Sequence, residues 1–237
     1  MATLLLRLEG PMQSWGAQSR FLVRDTGLEP SKSGVIGLLC AALGKPREEE
    51  PGNEDRWPSL QRLAALRMGV RVDRPGTVRR DYHTAGGSRT EGSYGVAKAD
   101  GSAPAPVVSQ RYYLADAAFL VGLESADSEL LTRLHKALAS PVWPLSLGRK
   151  SFVPGAPVYL HDGLRPEGLF EALSTYPILD EESTESPRLR AVLDAPMGEG
   201  SEVRSDLPVD FATRQFTTRH VTVMELECTS QRDGEGR

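Results

Sequence analysis

Residues 78–112 set the strongest limit on how this chain can fold. They hold Gly86, Gly87, Gly92, Gly95 and Gly101, two prolines, several serines and an excess of cations. No apolar run in them has the spacing or length to build a core. A stretch this long without a core pattern is uncommon inside a compact domain and is usually functional or disordered. Its two ends differ from its middle. Tyr82 on the way out, and Val107, Val108, Tyr112 and Tyr113 on the way back, are the aromatic and branched residues that strands favour. The expected structure is a protruding β-hairpin, inserted into a domain that builds its core from other segments.

Those segments alternate in type. Residues 2–8 are rich in leucine and read as a buried strand bounded by Gly10-Pro11. "PSKSGVIGLLCAALG" reads as a helix, with Ser31 or Ser33 as its cap and Gly44 as its terminator. "PSLQRLAAL" gives a second short helix, and "RMGVRVD" a strand that ends at Arg74-Pro75-Gly76. After the insertion come the strand "AAFLVGLE", the amphipathic helix "DSELLTRLHKAL" and the short strand "PVYL". The order fits an α+β, ferredoxin-like βαββαβ domain over residues 1–160, with the insertion between its second and third strands. Residues 161–237 form a small C-terminal extension: a helix near 164–174, the strand candidates "RLRAVLD" and "RHVTVMELE", and a tail, "TSQRDGEGR", expected to be disordered.

The net charge is −4, mildly against a nucleic-acid partner, but the charges are segregated. Residues 57–111 carry nine Lys/Arg against four Asp/Glu, and residues 151–186 one against seven. Such a chain can present a basic face despite an acidic total. The two cysteines, Cys40 and Cys228, do not make a disulfide framework, which points to a reducing cytoplasm. No apolar stretch has transmembrane length, and "MATLLLRLEG" is too short and too interrupted for a signal peptide. The expected partners therefore include no membrane. His83, His135, His161 and His220 show no ligand spacing, so neither a metal nor another cofactor is expected.

Four stretches carry candidate chemistry. In "GPMQSWGAQSRF", Ser14 and Gly16 permit close approach and Gln13 can read a base edge. Trp15 can stack on a base or plug the end of the sheet, the plug being favoured. Arg20 and Arg24 follow. "GLEPSKS" misses the phosphate-loop pattern, because Ser31 stands where a glycine is required and Pro30 precedes it. Ser31, Lys32, Ser33 and Gly34 still lie at a helix start, where free amides and the dipole attract an anion. "RRDYHTAGG" places Arg79, Arg80, Tyr82 and His83 at the root of the insertion. There, His83 and Tyr82 either hold phosphate and backbone or act as an acid–base pair that cleaves RNA without metal. "LSLGRKSFVP" sets Arg149 and Lys150 behind Gly148, a pattern suited to phosphate contact.

Taken in order, "LLLRLEGPMQSWG", "PSKSGVIGLLCAALG", "RRDYHTAGG", "SQRYYLADAAFLVGLE" and "PLSLGRKSFVP" resemble the Cas-five family, in the CasD form found in type I-E CRISPR Cascade. The resemblance implies a modified RNA-recognition-motif-like fold in which residues 78–112 are a thumb. It implies a non-catalytic subunit that caps the complex at the 5′ handle of the CRISPR RNA. Such a subunit contacts the backbone subunit CasC and the large subunit CasA, and meets target DNA only indirectly. Type I-C relatives are metal-independent endoribonucleases, and this is the alternative activity. Carried over by position, the handle-binding candidates are Gln13, Ser14, Trp15, Gly16, Ser31, Lys32, Ser33, Gly34, His83, Arg149 and Lys150. Arg111, at the thumb's return just before "YYL", joins them. The aromatic signature by which ordinary RNA-recognition modules stack bases on their central strands is missing. Recognition is expected from loops and thumb.

Overall fold

The computed structural model describes residues 1–16, 22–49, 52–53, 56–86, 95–96, 105–179 and 188–228. Its strands, in chain order, are β1 (Ala2–Gln13), β2 (Val23–Arg24), β3 (Arg67–Arg74), β4 (Thr77–Ala85), β5 (Val107–Ser125), β6 (Tyr159–Arg165), β7 (Arg188–Ala195), β8 (Glu202–Asp210) and β9 (Gln215–Glu227). The helices are α1 (Lys32–Leu43), α2 (Leu60–Ala64), α3 (Ser128–Ala139) and α4 (Leu169–Thr175). All strands join one mixed sheet in the order β6-β1-β5-β3-β7-β9-β8, with β2 and β4 both attached to β5. Every pairing but the short parallel one of β2 with β5 is antiparallel. No helix among the described residues is long and apolar enough to cross a membrane.

β5 is the spine. Its distal half lies between β1 (Ala2↔Ser125 through Gln13↔Leu114) and β3 (Arg67↔Glu124 through Arg74↔Ala118). Its proximal half pairs with β4, from Thr77↔Ala115 to Ala85↔Val107, as the ribbon expected at the root of the insertion. Beyond that ribbon only a Val96–Ala105 bridge is described, and the tip expected between them lies outside the described residues. The β3–β4 corner turns at Gly76, φ 68°, where a Cβ would sit 2.5 Å from the Ala115 carbonyl oxygen. That corner has no room for a side chain.

The helices form for local reasons. Ser31 caps α1 by accepting from the Gly34 amide (3.3 Å), and left-handed Gly44, φ 65°, ends it. Asp127 caps α3 by accepting from the Leu130 amide (2.9 Å). Leu130, Leu131, Leu134 and Leu138 of α3 and Val35, Ile36 and Leu39 of α1 bury against alternate residues of the central strands. Among those are Leu4, Leu6, Leu8, Met68, Val70, Phe119, Val121 and Leu123.

The opposite face of the sheet is covered by α4, through Leu169, Ala172, Leu173 and Tyr176 packed with Leu5, Leu120 and Leu160. Gly69 and Gly122 face each other across β3 and β5. A Cβ at Gly122 would lie 2.6 Å from a Leu169 methyl, and one at Gly69 2.8 Å from a Leu173 methyl. The paired glycines form the notch that lets α4 press onto the strands. Beside it Arg71 of β3 is wholly buried. Its five N–H groups donate to both Asp73 oxygens (2.7 Å each) and to the carbonyls of Leu173 (2.5 Å), Tyr176 (2.7 Å) and Pro177 (2.8 Å). One guanidinium thus closes the C-terminal end of α4, and its charge is fully compensated.

Sequence and structure part at several boundaries. β1 does not stop at Gly10-Pro11. β6 flanks it only between Thr3 and Leu6, so beyond that edge Pro11's missing N–H interrupts no ladder. "AAFLVGLE" is not a separate strand but the distal half of β5. The helix expected near 164–174 is α4, and part of that stretch is instead the end of β6. β8 has no counterpart among the expected strands. Pro208, Ser205 and Asp206 lower its strand propensity, and it forms at the end of the sheet where a proline is tolerated. The tail beyond Cys228 lies outside the described residues.

Replacing Arg71 by Ala leaves the buried Asp73 carboxylate uncompensated and three carbonyls without their donor. The expected loss is about 3–5 kcal/mol, seen as a lower urea midpoint. A midpoint within error of the wild type would refute this role for Arg71.

Candidate functional site

The ribbon and the loops at its root build a cationic surface. Directly opposed residues on antiparallel strands share a face, and neighbours along a strand alternate. One face of the ribbon therefore carries Arg79, Asp81 and His83 of β4 against Tyr113, Arg111 and Ser109 of β5. β2 adds Arg24 beside Arg111. Hydrogen bonds agree with this assignment: His83 Nδ1 lies 3.1 Å from Asp81, and Arg111 Nε donates to Ser109 Oγ (3.0 Å).

The loop after α3 brings a fourth arginine. Arg149 donates to the carbonyls of Tyr112 (2.9 Å) and Arg24 (3.4 Å), tying its loop to β5 and β2 at once. Its guanidinium lies over Phe152, 5.3 Å from the ring centre, and Phe152 in turn packs against Tyr113. Burial, and then the charges of Arg111 and Arg24, lower the Arg149 pKa from its ordinary value, while Asp81 and Asp25 oppose the shift. Three guanidiniums close enough to repel one another, with two carboxylates too few to cancel them, attract an anion. Lys150 is exposed next to Arg149.

Glycines make this convergence possible. Gly148 has φ 88°, and a Cβ there would fall 1.7 Å from the Ser14 carbonyl oxygen. The first loop and the Arg149 loop touch backbone to backbone, with the Ser14 amide donating to Leu147 O (3.1 Å). Gly16 meets the Asp25 carbonyl in the same way, at 2.5 Å from where its Cβ would be. Ser14 Oγ joins the clasp through Tyr112 O (3.3 Å).

The remaining sequence candidates take other places. Gln13 is 0% exposed, and its amide is spent internally: it donates to the carbonyls of Leu8 (3.0 Å) and Ala117 (2.7 Å) and accepts from Trp15 Nε1 (3.1 Å). It does not present a base-reading edge, because it satisfies buried backbone where β1 ends. Trp15 is 2% exposed and packs on Gly34 at the start of α1, which is the plug. Lys32 is also turned inward. Its ammonium lies 2.7 Å from Asp194 of β7, and burial lowers its pKa while that carboxylate raises it. The first amide of α1 is likewise engaged, by Asp206 of β8 (2.7 Å). The start of α1 therefore receives its anion from the protein itself, which the sequence could not reveal because both carboxylates come from the C-terminal strands. Ser31 caps the helix and Ser33 is its near neighbour (3.4 Å between hydroxyls). Arg20 lies outside the described residues.

Tyr82 and His83 are adjacent on β4 and so face opposite ways. Arg80 follows Tyr82 onto the second face. Asp25, Asp81 and Phe152 belong to the site and were missed; only Phe152, close behind Gly-Arg-Lys in "GRKSF", left a trace in the sequence. Among the described residues no group of three or more His, Cys, Asp or Glu could hold a metal ion. The surface suits a phosphodiester backbone: guanidinium donors, a close backbone approach and a surplus of positive charge.

Comparison with known proteins gives the family of the chain. Residues 3–222 match the family described as CRISPR-associated protein (Cas_Cas5). The chain is 32% identical over 222 residues to the CRISPR system Cascade subunit CasD of Escherichia coli (strain K12), covering 90% of this chain and 93% of that one. A solved structure described as a Cas protein superposes with a TM-score of 0.71 at 44% identity, over 95% of both chains. A chain from a CRISPR RNA-guided surveillance complex superposes with a TM-score of 0.73 at 32% identity, over 98% of this chain and 95% of that one.

Gly148→Ala forces a side chain into a left-handed position against Ser14. It is expected to cost about 1–3 kcal/mol and to lower the thermal midpoint. An unchanged midpoint would mean that the two loops do not meet as described.

Proposed function

Since this chain belongs to the Cas5 family of CRISPR-associated proteins, in its CasD form, we propose that it is a non-catalytic subunit of type I-E Cascade that grips the 5′ handle of the CRISPR RNA. The observation that carries the reading is the meeting of Arg24, Arg111 and Arg149 on one face of the ribbon, from three separate segments of the chain. Phosphate contacts there set the position of the RNA, with Arg79, His83 and Lys150 at the margins. Target sequence is left to base pairing, so this subunit recognises only the constant handle. It works in the cytoplasm, sits beside the backbone subunit CasC and the large subunit CasA, and meets target DNA only through the complex.

The finer view of the fold is part of the same proposal. Residues 1–160 are the RNA-holding, ferredoxin-like unit, with 78–112 as its thumb, and residues 161–237 are an extension. The succession β1, α1, β3, β5, α3, β6 supports it, as does the placing of β5 between β1 and β3. The cover of α4 over the second sheet face supports recognition by ribbon and loops.

Neutralising Arg24 and Lys150 to Gln removes two exposed cations at little cost to the fold. Binding of handle RNA should weaken, and the slope of log affinity against log salt should flatten by about 0.7 for each phosphate no longer neutralised. A filter titration that gives the wild-type slope, or equal affinity for scrambled RNA, would reject the reading. The endoribonuclease alternative needs His83 and Tyr82 as an acid–base pair, but the two are neighbours on β4 and face opposite ways, and His83 Nδ1 lies 3.1 Å from Asp81 instead. Incubation with precursor repeat RNA in EDTA should give no specific cleavage. Cleavage abolished by His83→Ala would replace the proposal with the alternative.

A further inference from the structure

The second face of the ribbon is built differently from the first. It carries Arg80 opposite Tyr112 and Tyr82 opposite Gln110. Tyr82 is 71% exposed, an unusual position for so large an aromatic side chain, and among the described residues no other ring pairs with it. Arg80 and Gln110 touch across the strands (3.5 Å), which sets a cation and an amide beside that ring. Tyr112 stands diagonally to Tyr82, within reach of the same planar ligand.

Resting on the handle-binding reading above, we infer that this second face is a stacking platform for one unpaired nucleobase of the bound RNA, with Tyr82 as the stacking ring. The backbone is held by cations on the first face and the base lies on the second. Between them the strand passes over the outer edge of β4, which pairs only with β5 among the described strands. A tyrosine ring accepts any base, because every base has a π face. Gln110 offers both a donor and an acceptor to the base edge, and Arg80 offers donors. A protein partner fits this face less well. Its apolar residues, Val78 and Val108, are separated by the Arg80–Gln110 pair rather than joined in one patch.

The test uses the assembled complex containing this chain, loaded with CRISPR RNA in which 2-aminopurine replaces one handle nucleotide at a time. At one position the fluorescence should be quenched by stacking. Tyr82→Ala should restore it there and weaken handle binding roughly 5- to 150-fold. Tyr82→Phe, which keeps the ring and removes the hydroxyl, should behave as wild type. Quenching unchanged in Tyr82→Ala, or abolished equally in Tyr82→Phe, overturns the inference. So does a Tyr82→Ala chain that fails to join the other subunits in the absence of RNA, which would mark the face as a protein contact. A complex whose handle binding depends on Arg24 and Lys150 but ignores Tyr82 sinks the platform alone. One that shows no dependence on either sinks the handle-binding reading as well.

Discussion

The backbone ladder of β5 joins the hydrophobic core and the cationic surface in one covalent element. From Leu114 to Ser125 the strand is hydrogen-bonded within the sheet, and from Val107 to Ala115 it carries the ribbon. Arg111 is thus three residues from Leu114, which is buried. The positions of Arg24 and Arg149 follow, because both segments attach to β5 or to its immediate neighbours. A site assembled from three distant stretches of sequence therefore inherits the rigidity of the core rather than the freedom of its loops.

Charge is divided by the fold in a way that its sum conceals. Of the basic residues between 57 and 111, Arg62, Arg67, Arg71 and Arg74 are engaged by Asp127, Glu124, Asp73 and Glu9. They hold elements together. Beyond Gly76, Arg79, Arg80 and Arg111 serve the ribbon. A second ionic group, in which Arg219 joins Asp194 and Asp206 while Lys32 joins Asp194, fastens the C-terminal strands to the start of α1. Its members are largely buried, so removing one partner costs far more than the pair contributes over a well-packed apolar substitute. The net charge of the chain says nothing about either arrangement.

Much of the fold could be read in advance because local signals agreed with it. Leucine periodicity placed α3, serine and glycine caps placed α1, and the branched run at Arg67–Asp73 placed β3. The ribbon was legible from aromatic residues flanking a glycine-rich middle. What escaped depended on partners remote in sequence. Lys32 read as a ligand for an external anion because Asp194 and Asp206 lie more than 160 residues away. Gln13 read as a base reader because the carbonyls it satisfies belong to strands whose pairing is tertiary. Arg71 looked like one basic residue among many, and nothing in its neighbourhood foretold the three carbonyls at the end of α4 that it meets. Arg149 stood out in the sequence as a cation just behind a glycine, but its bracing of the loop against the Tyr112 carbonyl lay beyond spacing arguments.

The continuity of β5 also decides how the molecule bears load. Tension applied at the ribbon runs along the strand axis into the centre of the sheet. There it meets neighbours on both sides, whose hydrogen bonds are stretched in shear and must fail together. A strand at the margin would instead be peeled, one bond after another. Each bond is weak alone, at about 1 kcal/mol net, but acting in concert they make the ribbon a tether rather than a flap. A polymer pulled against this subunit would deform its own path before it unzipped the protein.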